Sequence, residues 1–525
     1  MISGLRGWLA LSFAALMAGC SRTPNDVTTL TYGLTLAPTG IDPHINASAE
    51  LGIPLDSVYD TLVVQDPESG KILPGLAERW EISPDGRTYT FFLRRDVRFH
   101  DGTMFAADDV VANLDYVVNP DHHSQKAVFL LGPFERAEVV DLYTVAIHLT
   151  QPFAPLLDSF SQVYLGMASP EALDAWGPAE YQFHQVGTGP YRFVEYVAED
   201  RLILEKNSDY AWPPPTARRA QPFFDRIVFR FFEDPATRAI ALENGDVDVL
   251  GEVPRHEAER LDASDGFTLT PVAIPGQPTQ FLFNTTLPPT DDLRVRQALL
   301  AATDRGAIVN TVFGPMSPVA EGPLSSGLWS DPEAPVFAPF DPGEAAQLLE
   351  TAGWTLGPNG RRSRDGTALK ISIVTPGWGS HPEVAQLLES AWEALGAEVA
   401  VELAPGFGLL REAQTRGEYN LIGINFFGTD PDLLRPMYAS DGLYNWTGYL
   451  DPSLDSMLAQ AAALPLGSEE RRALYLEVGR LLRSEALVLP IRDYTNLVVA
   501  SDRVTGLAFA HSGWFPLLRD LQLAP

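Results

Sequence analysis

Hydrophobic and polar residues follow two rhythms along this chain. From Thr88 to Leu93 the period is two, with Tyr89, Phe91 and Leu93 on one face and Thr88 and Thr90 on the other, which predicts a strand. The tight-turn sequence Ser83-Pro84-Asp85-Gly86 precedes it, Pro setting φ and Gly accepting a positive one, so the segment reads as a β-hairpin. Tyr143, Val145, Ile147 and Leu149 repeat the alternation and leave His148 on the outer, solvated face. Between them, after the turn His100-Asp101-Gly102, the period changes over 105–118. Val110, Leu114 and Val117 recur at helical spacing, with Asp108 and Asp109 in the first turn where the helix dipole favours acids.

Further on, Gly187-Thr188-Gly189-Pro190-Tyr191 breaks the chain and opens a group of strands at 192–196, 201–206 and 227–232. Asp234-Pro235 then supplies an N-cap with Pro at the first helical position, and Asn244-Gly245 ends the helix before a short strand at 247–250. The same construction returns at Asp341-Pro342-Gly343-Glu344, whose stripe Ala345, Leu348, Leu349, Ala352 stops at Gly353. Segments 369–374, 382–395 and 398–403 read strand, helix, strand, a βαβ unit. A strand at 419–427, helices at 453–463 and 468–484, and strands at 487–491 and 495–500 complete the pattern. The fold class is mixed α/β with more than one lobe.

Composition places this pattern in a globular body: 525 residues, 45% hydrophobic and 20% charged, with 42 Gly and 43 Pro spread throughout. Against 37 Lys and Arg stand 68 Asp and Glu, a formal net charge of −31, and such a field repels nucleic acid and anionic lipid. The single cysteine permits neither an internal disulfide nor a cysteine-based zinc site. Its position is informative. Arg6, an apolar run from Trp8 to Ala18 and then Gly19-Cys20 have the layout of a secretory signal over 1–19, too short to span a bilayer. Met17-Ala18-Gly19-Cys20 further resembles a bacterial lipobox with Met17 where Leu is usual, so Cys20 is expected to be lipidated and 20–28 to tether an exported body to the membrane.

Chemistry-bearing motifs are scarce. The chain lacks His-Glu-x-x-His, Gly-x-Ser-x-Gly, the phosphate-binding Gly-rich loop and the dinucleotide fingerprint. Asp121-His122-His123 reads as a loop rather than a metal site, His381, opening a helix after Trp378-Gly379-Ser380, as an ordinary loop residue, and Asp291-Asp292 as acids at a helix start. Neither catalytic residues, a cofactor nor a metal are expected.

Several segments taken together closely resemble one family. They are Tyr59-Asp60-Thr61-Leu62-Val63, Leu73-Pro74-Gly75-Leu76-Ala77-Glu78-Arg79-Trp80, Ser83-Pro84-Asp85-Gly86, Val97-Arg98-Phe99-His100-Asp101-Gly102, Gly187-Thr188-Gly189-Pro190-Tyr191, Gly245-Asp246-Val247-Asp248 and Asp292-Leu293-Arg294-Val295-Arg296-Gln297-Ala298. The family is the extracellular solute-binding proteins of family 5, the oligopeptide-, dipeptide- and nickel-binding components of ABC importers. The resemblance implies a two-lobed, periplasmic-binding-protein-like fold of the large type II cluster. Lobe I comprises 29–57, 186–272 and 492–525, lobe II comprises 273–491, an extra domain spans 58–185, and hinge crossings fall near 272 and 491. It implies capture of a peptide or other small solute in a hinged cleft, delivery to a membrane permease, no turnover, and a monomer. Asp42, Asp85 and Asp101 are expected to serve the scaffold.

Peptide binders of the family pair the ligand's amine with a carboxylate after a Trp in a loop of lobe II. The corresponding segment, Gly423 to Asp432, is about two residues short, so the carboxylate is Asp430 or is missing with Phe427 in its place, and Phe426 stands where Trp is usual. The expected ligand site is Asp430 with Phe426, Phe427, Trp378 and Trp446 as walls. Alternatives are a nickel chelate, haem, an oligosaccharide or an opine as the solute, a chemoreceptor partner or chaperone on the same fold, and, from another class, an exported hydrolase.

Overall fold

The structure, a computed structural model, describes residues 28–35, 41–45, 50–232, 234–328 and 339–525. The expected signal segment and Cys20 lie outside the described residues. The elements are mixed α/β, as the periodicity predicts.

A seven-stranded sheet draws on distant parts of the chain: Thr29–Leu34, strands Tyr191–Val197, Arg201–Lys206, Arg226–Phe231, Val249–Leu250 and Phe267–Ala273, and finally Thr495–Ser501. Thr29–Leu34 sits inside it, parallel to Arg226–Phe231 with Thr31 opposite Val228. A five-stranded sheet is built from Thr279–Phe283, Lys370–Pro376, Glu398–Ala404, Leu421–Gly423 and Val488–Arg492. The chain therefore passes from the first sheet to the second between Ala273 and Thr279 and returns between Arg492 and Thr495. Two passages and two sheets make two lobes.

A third, antiparallel sheet holds Ala77–Ile82, Thr88–Leu93, Phe134–Asp141 and Thr144–Leu149. Its inner residues Phe91, Leu93 and Ile147 join the same buried cluster as Leu30, Tyr32 and Ile227 of the seven-stranded sheet. The five-stranded sheet keeps a separate core around Phe281, Ile373, Leu388 and Trp392. Apolar surface removed from water in each cluster stabilises its lobe by about 25 cal/mol per Å².

Local signals behave as their chemistry dictates. Gly86 turns with φ +68 and donates its N–H to the Ser83 carbonyl at 2.8 Å. The helix Ala107–Val118 buries Val110, Leu114 and Val117, and the Asp109 carboxylate accepts the Ala106 N–H at 2.7 Å. Asp234 caps Pro235–Glu243 through the Thr237 N–H, and Asp341 caps Pro342–Thr351 through the Gly343 and Glu344 N–H groups. The βαβ unit is present: Lys370–Pro376 runs parallel to Glu398–Ala404, Ile371 opposite Val399, with the helix His381–Ala394 between them in sequence. Asp85 accepts from Ser83 and Arg87, Asp101 from Thr103 and Ser169, and Asp42 from His44, so all three brace turns or neighbouring segments.

Two expectations change. The strand expected over 419–427 is only Leu421–Gly423, because Gly423 lies against Pro376 and His381 and the chain then leaves the sheet. Phe426 and Gln277 exchange hydrogen bonds at 2.8 and 3.0 Å, and Phe427 bridges Gly276. His381 opens the helix as expected but is no ordinary loop residue: it is 1% exposed, its Nδ1 3.0 Å from the Trp378 carbonyl and its ring edge-on to Phe281.

Candidate functional site

A cavity of about 530 Å³ lies where the lobes face each other. One wall comes from the loop that leaves the five-stranded sheet, from Asn425 to Asp430, with Arg435 and Tyr444 behind it. The opposite wall combines Asp56 to Gln65, Lys126, Phe153 to Val163 and the C-terminal stretch from Ala510 to Asp520. The loop takes its position from the first inter-lobe passage. Gly276 adopts φ +135, and a Cβ there would stand 2.7 Å from the Phe426 carbonyl oxygen and the Phe427 Cα, so only glycine admits this approach.

Aromatic contacts run from the cavity wall across the lobes. Phe427 meets Tyr494 at 4.9 Å and Trp514 at 5.2 Å between ring centroids, both edge-on, and Phe426 meets Tyr444 at 4.7 Å. Such pairs add about 0.5–1.5 kcal/mol each beyond the area they bury. Among the expected site residues, Phe426, Phe427 and Asp430 line the cavity, whereas Trp446 and Trp378 do not. Trp446 is 2% exposed inside the core of the second lobe, edge-on to Tyr444, and Trp378 is 40% exposed beside His381. At Trp446 the apolar bulk of lobe II serves its core, not the cleft.

Asp430 reaches the wall with its charge already matched. Its Oδ1 accepts from the Arg471 guanidinium at 2.7 Å and from the Asp432 N–H at 2.8 Å. Asp432 in turn pairs with Arg435 at 2.9 Å and accepts from the Tyr475 hydroxyl at 3.0 Å. Both acids are thereby tied into the helix Glu469–Ser484 or its neighbours. The role expected of Asp430, holding a cationic ligand group, thus meets a carboxylate that has a partner in its own lobe.

Other charged side chains on the wall were not legible in the sequence. Asp158 is 6% exposed and receives only neutral donors: Gln65 at 2.6 Å, Gln162 at 3.1 Å and the Thr429 hydroxyl from the other lobe. Burial, and then the nearby Asp430 charge, push it up to about 6. Asp60 receives Thr188, Tyr210 and Trp212, and burial raises it. Burial likewise raises Asp56 to about 6 and lowers Lys126 to about 8, whose ammonium stands 4.1 Å over the Tyr164 ring. Burial opposes the charge of Arg519, yet Tyr210, Asp60 and Asp56 around it hold its guanidinium above the usual range. A lone acid in the apolar run 153–165 was the one available signal for Asp158.

Across the cavity the lobes also touch directly: the Ala154 N–H donates to the Ala462 carbonyl at 2.8 Å, beside the Asp158–Thr429 contact. Among the described residues no group of three His, Cys, Asp or Glu is arranged to hold a metal ion, and no helix is long and apolar enough to cross a membrane.

Comparison with known proteins gives this geometry a context. The glutathione-binding protein GsiB of Pectobacterium atrosepticum is 32% identical over 486 residues, 89% of each chain. The heme-binding protein A of Haemophilus influenzae is 29% identical, over 93% of this chain and 91% of that one. Among solved structures, NikA of Brucella suis in complex with Fe(III)-EDTA superposes with a TM-score of 0.84 at 26% identity, covering 94% of this chain and all of that one. Residues 71–448 match the family described as bacterial extracellular solute-binding proteins, family 5 Middle. The chain belongs to the family 5 extracellular solute-binding proteins.

Proposed function

We propose that this protein is the peptide-capturing component of an ABC importer, tethered outside the cytoplasm by a lipid on Cys20, and that it releases its solute chemically unchanged to a membrane permease. The observation that carries this is the cavity between the lobes, of about 530 Å³, whose aromatic walls hold both carboxylates and cations. That volume falls within the usual range for small-ligand sites, about 300–1,000 Å³, and a zwitterionic peptide offers a partner to each kind of wall charge. The relatives named above are binding proteins for small solutes, which supports capture without turnover.

Physically, the cleft works by closure. With the lobes apart, solute and water exchange freely; with the lobes together, water leaves, each polar contact strengthens, and the solute is carried as cargo. The two passages, 274–278 and 493–494, are the segments that have to bend. The contacts of Thr429 with Asp158 and of Ala154 with Ala462 belong to the closed form and break on opening.

Two experiments test the reading. Mass spectrometry of solute extracted from the purified protein is expected to recover intact peptides; recovery of only a metal chelate or a porphyrin rejects the peptide assignment. Cys20→Ala is expected to leave the mature protein in the soluble fraction, and continued membrane association contradicts the lipid tether.

A further inference from the structure

Not every charge on the cavity wall is paired within the protein. Six of its lining residues are acids: Asp56, Asp60, Asp158, Asp430, Asp432 and Asp520. Asp430 and Asp432 are matched by Arg471 and Arg435. Among the described residues the other four have no cation within 4 Å, and their hydrogen bonds, where they have any, come from neutral donors such as Gln65, Gln162, Thr188, Trp212 and the Arg218 N–H; from farther off Arg519 acts on Asp56, Asp60 and Asp520, Arg218 and Arg219 add to it at Asp520, and Asp158 has only Lys126 in that relation. Against them the wall sets two cations without a carboxylate within 4 Å, Lys126 and Arg519.

We infer that the cavity selects solutes carrying more ammonium than carboxylate groups, that is, short peptides with Lys or Arg side chains, and that Asp158 receives an ammonium group of the solute. This rests on the peptide reading of the site and narrows it.

Three observations support it. A buried carboxylate held only by neutral donors lacks the counter-charge that normally offsets its desolvation, and Asp158, 6% exposed on the cavity wall, is in that position. Lys126, a wall cation that feels the Asp158 charge, makes its contact with the Tyr164 ring rather than an ion pair with Asp158. Finally, the whole chain carries a net charge of −31, which concentrates cations around the protein and repels anions before contact. An anionic solute such as glutathione would bring further carboxylates to this wall, where like charges brought together oppose binding. The relative that carries glutathione in its name is therefore a guide to the family, not to the charge of this protein's solute.

The test is calorimetric titration of the mature protein, stripped of solute by unfolding and refolding, with trilysine, trialanine and glutathione at pH 7.5. Trilysine is expected to bind tightest, by at least about tenfold over trialanine, with glutathione weakest. In Asp158→Asn, checked for folding by circular dichroism, the advantage of trilysine over trialanine is expected to shrink several-fold; Asp56→Asn provides a second reading should the first variant fail to fold. Glutathione binding as tightly as trilysine overturns the inference while leaving peptide capture standing. A stripped protein that binds none of the three overturns the peptide reading and the inference with it.

Discussion

Asp430 and Arg471 form a buried ion pair, Oδ1 to guanidinium nitrogen 2.7 Å, inside the second lobe and at the edge of the cavity. The pair fixes the loop that carries Phe426 and Phe427 to the helix Glu469–Ser484. Removing one partner leaves a charge with no counter-ion in a dry place, which typically costs about 3–5 kcal/mol. Arg471→Ala is therefore expected to lower the denaturation midpoint sharply. Asp430→Asn is expected to destabilise the fold while changing solute affinity much less than Asp158→Asn does. A variant at Asp430 with native stability and abolished binding would return that carboxylate to the solute.

Phe427 lies between Tyr494 and Trp514 and forms the apolar wall on which the lobes close. Truncation to Ala removes two ring contacts of about 0.5–1.5 kcal/mol each, so Phe427→Ala is expected to weaken binding by about five- to a hundredfold. Trp446→Ala, by contrast, opens the lobe II core and is expected to lose about 3–5 kcal/mol of stability. Parallel titration and denaturation of the two variants separates wall from core.

At Gly276 the backbone has φ +135, and a Cβ would collide with the loop at Phe426 and Phe427. Gly276→Ala is expected to cost about 1–3 kcal/mol and to push the aromatic loop away from the first passage between lobes. Denaturation gives the first effect. A reduced change in Trp fluorescence on adding solute gives the second.

Burial raises Asp158 and Asp56, each to about 6, above their unfolded values near 3.9. The sign follows from linkage. The folded, empty protein holds these protons more tightly than the unfolded chain, so the stability they contribute is complete below about pH 4 and is lost as the pH rises through about 6. A cationic solute favours the ionised carboxylates, and its affinity is therefore expected to rise over the same interval. Melting temperatures across pH 4.5–7.5, with and without trilysine, check both directions; Asp158→Asn is expected to flatten each trend.

Much of the fold was legible because its signals are local. Asp234 and Asp341 cap the helices their sequences announce, and the βαβ unit at 370–404 follows from period alone. The strand expected at 419–427 was overextended because apolar residues in a cavity wall and in a strand have the same periodicity; what ends the strand is the contact of Gly423 with Pro376 and His381, which is remote in sequence. The site was legible only in part. Phe426, Phe427 and Asp430 were reachable through one contiguous loop, but Asp158, Lys126 and Arg519 come from three separate segments that only folding brings to one cavity. Trp446 shows the converse, a large aromatic near the loop in sequence that packs away from it.

The most direct test is to identify what the protein carries. Solute released by denaturing the protein purified from its native source, analysed by mass spectrometry, is expected to consist of intact short peptides enriched in Lys and Arg. Recovery of glutathione, a porphyrin or hydrolysed fragments in their place would contradict the account.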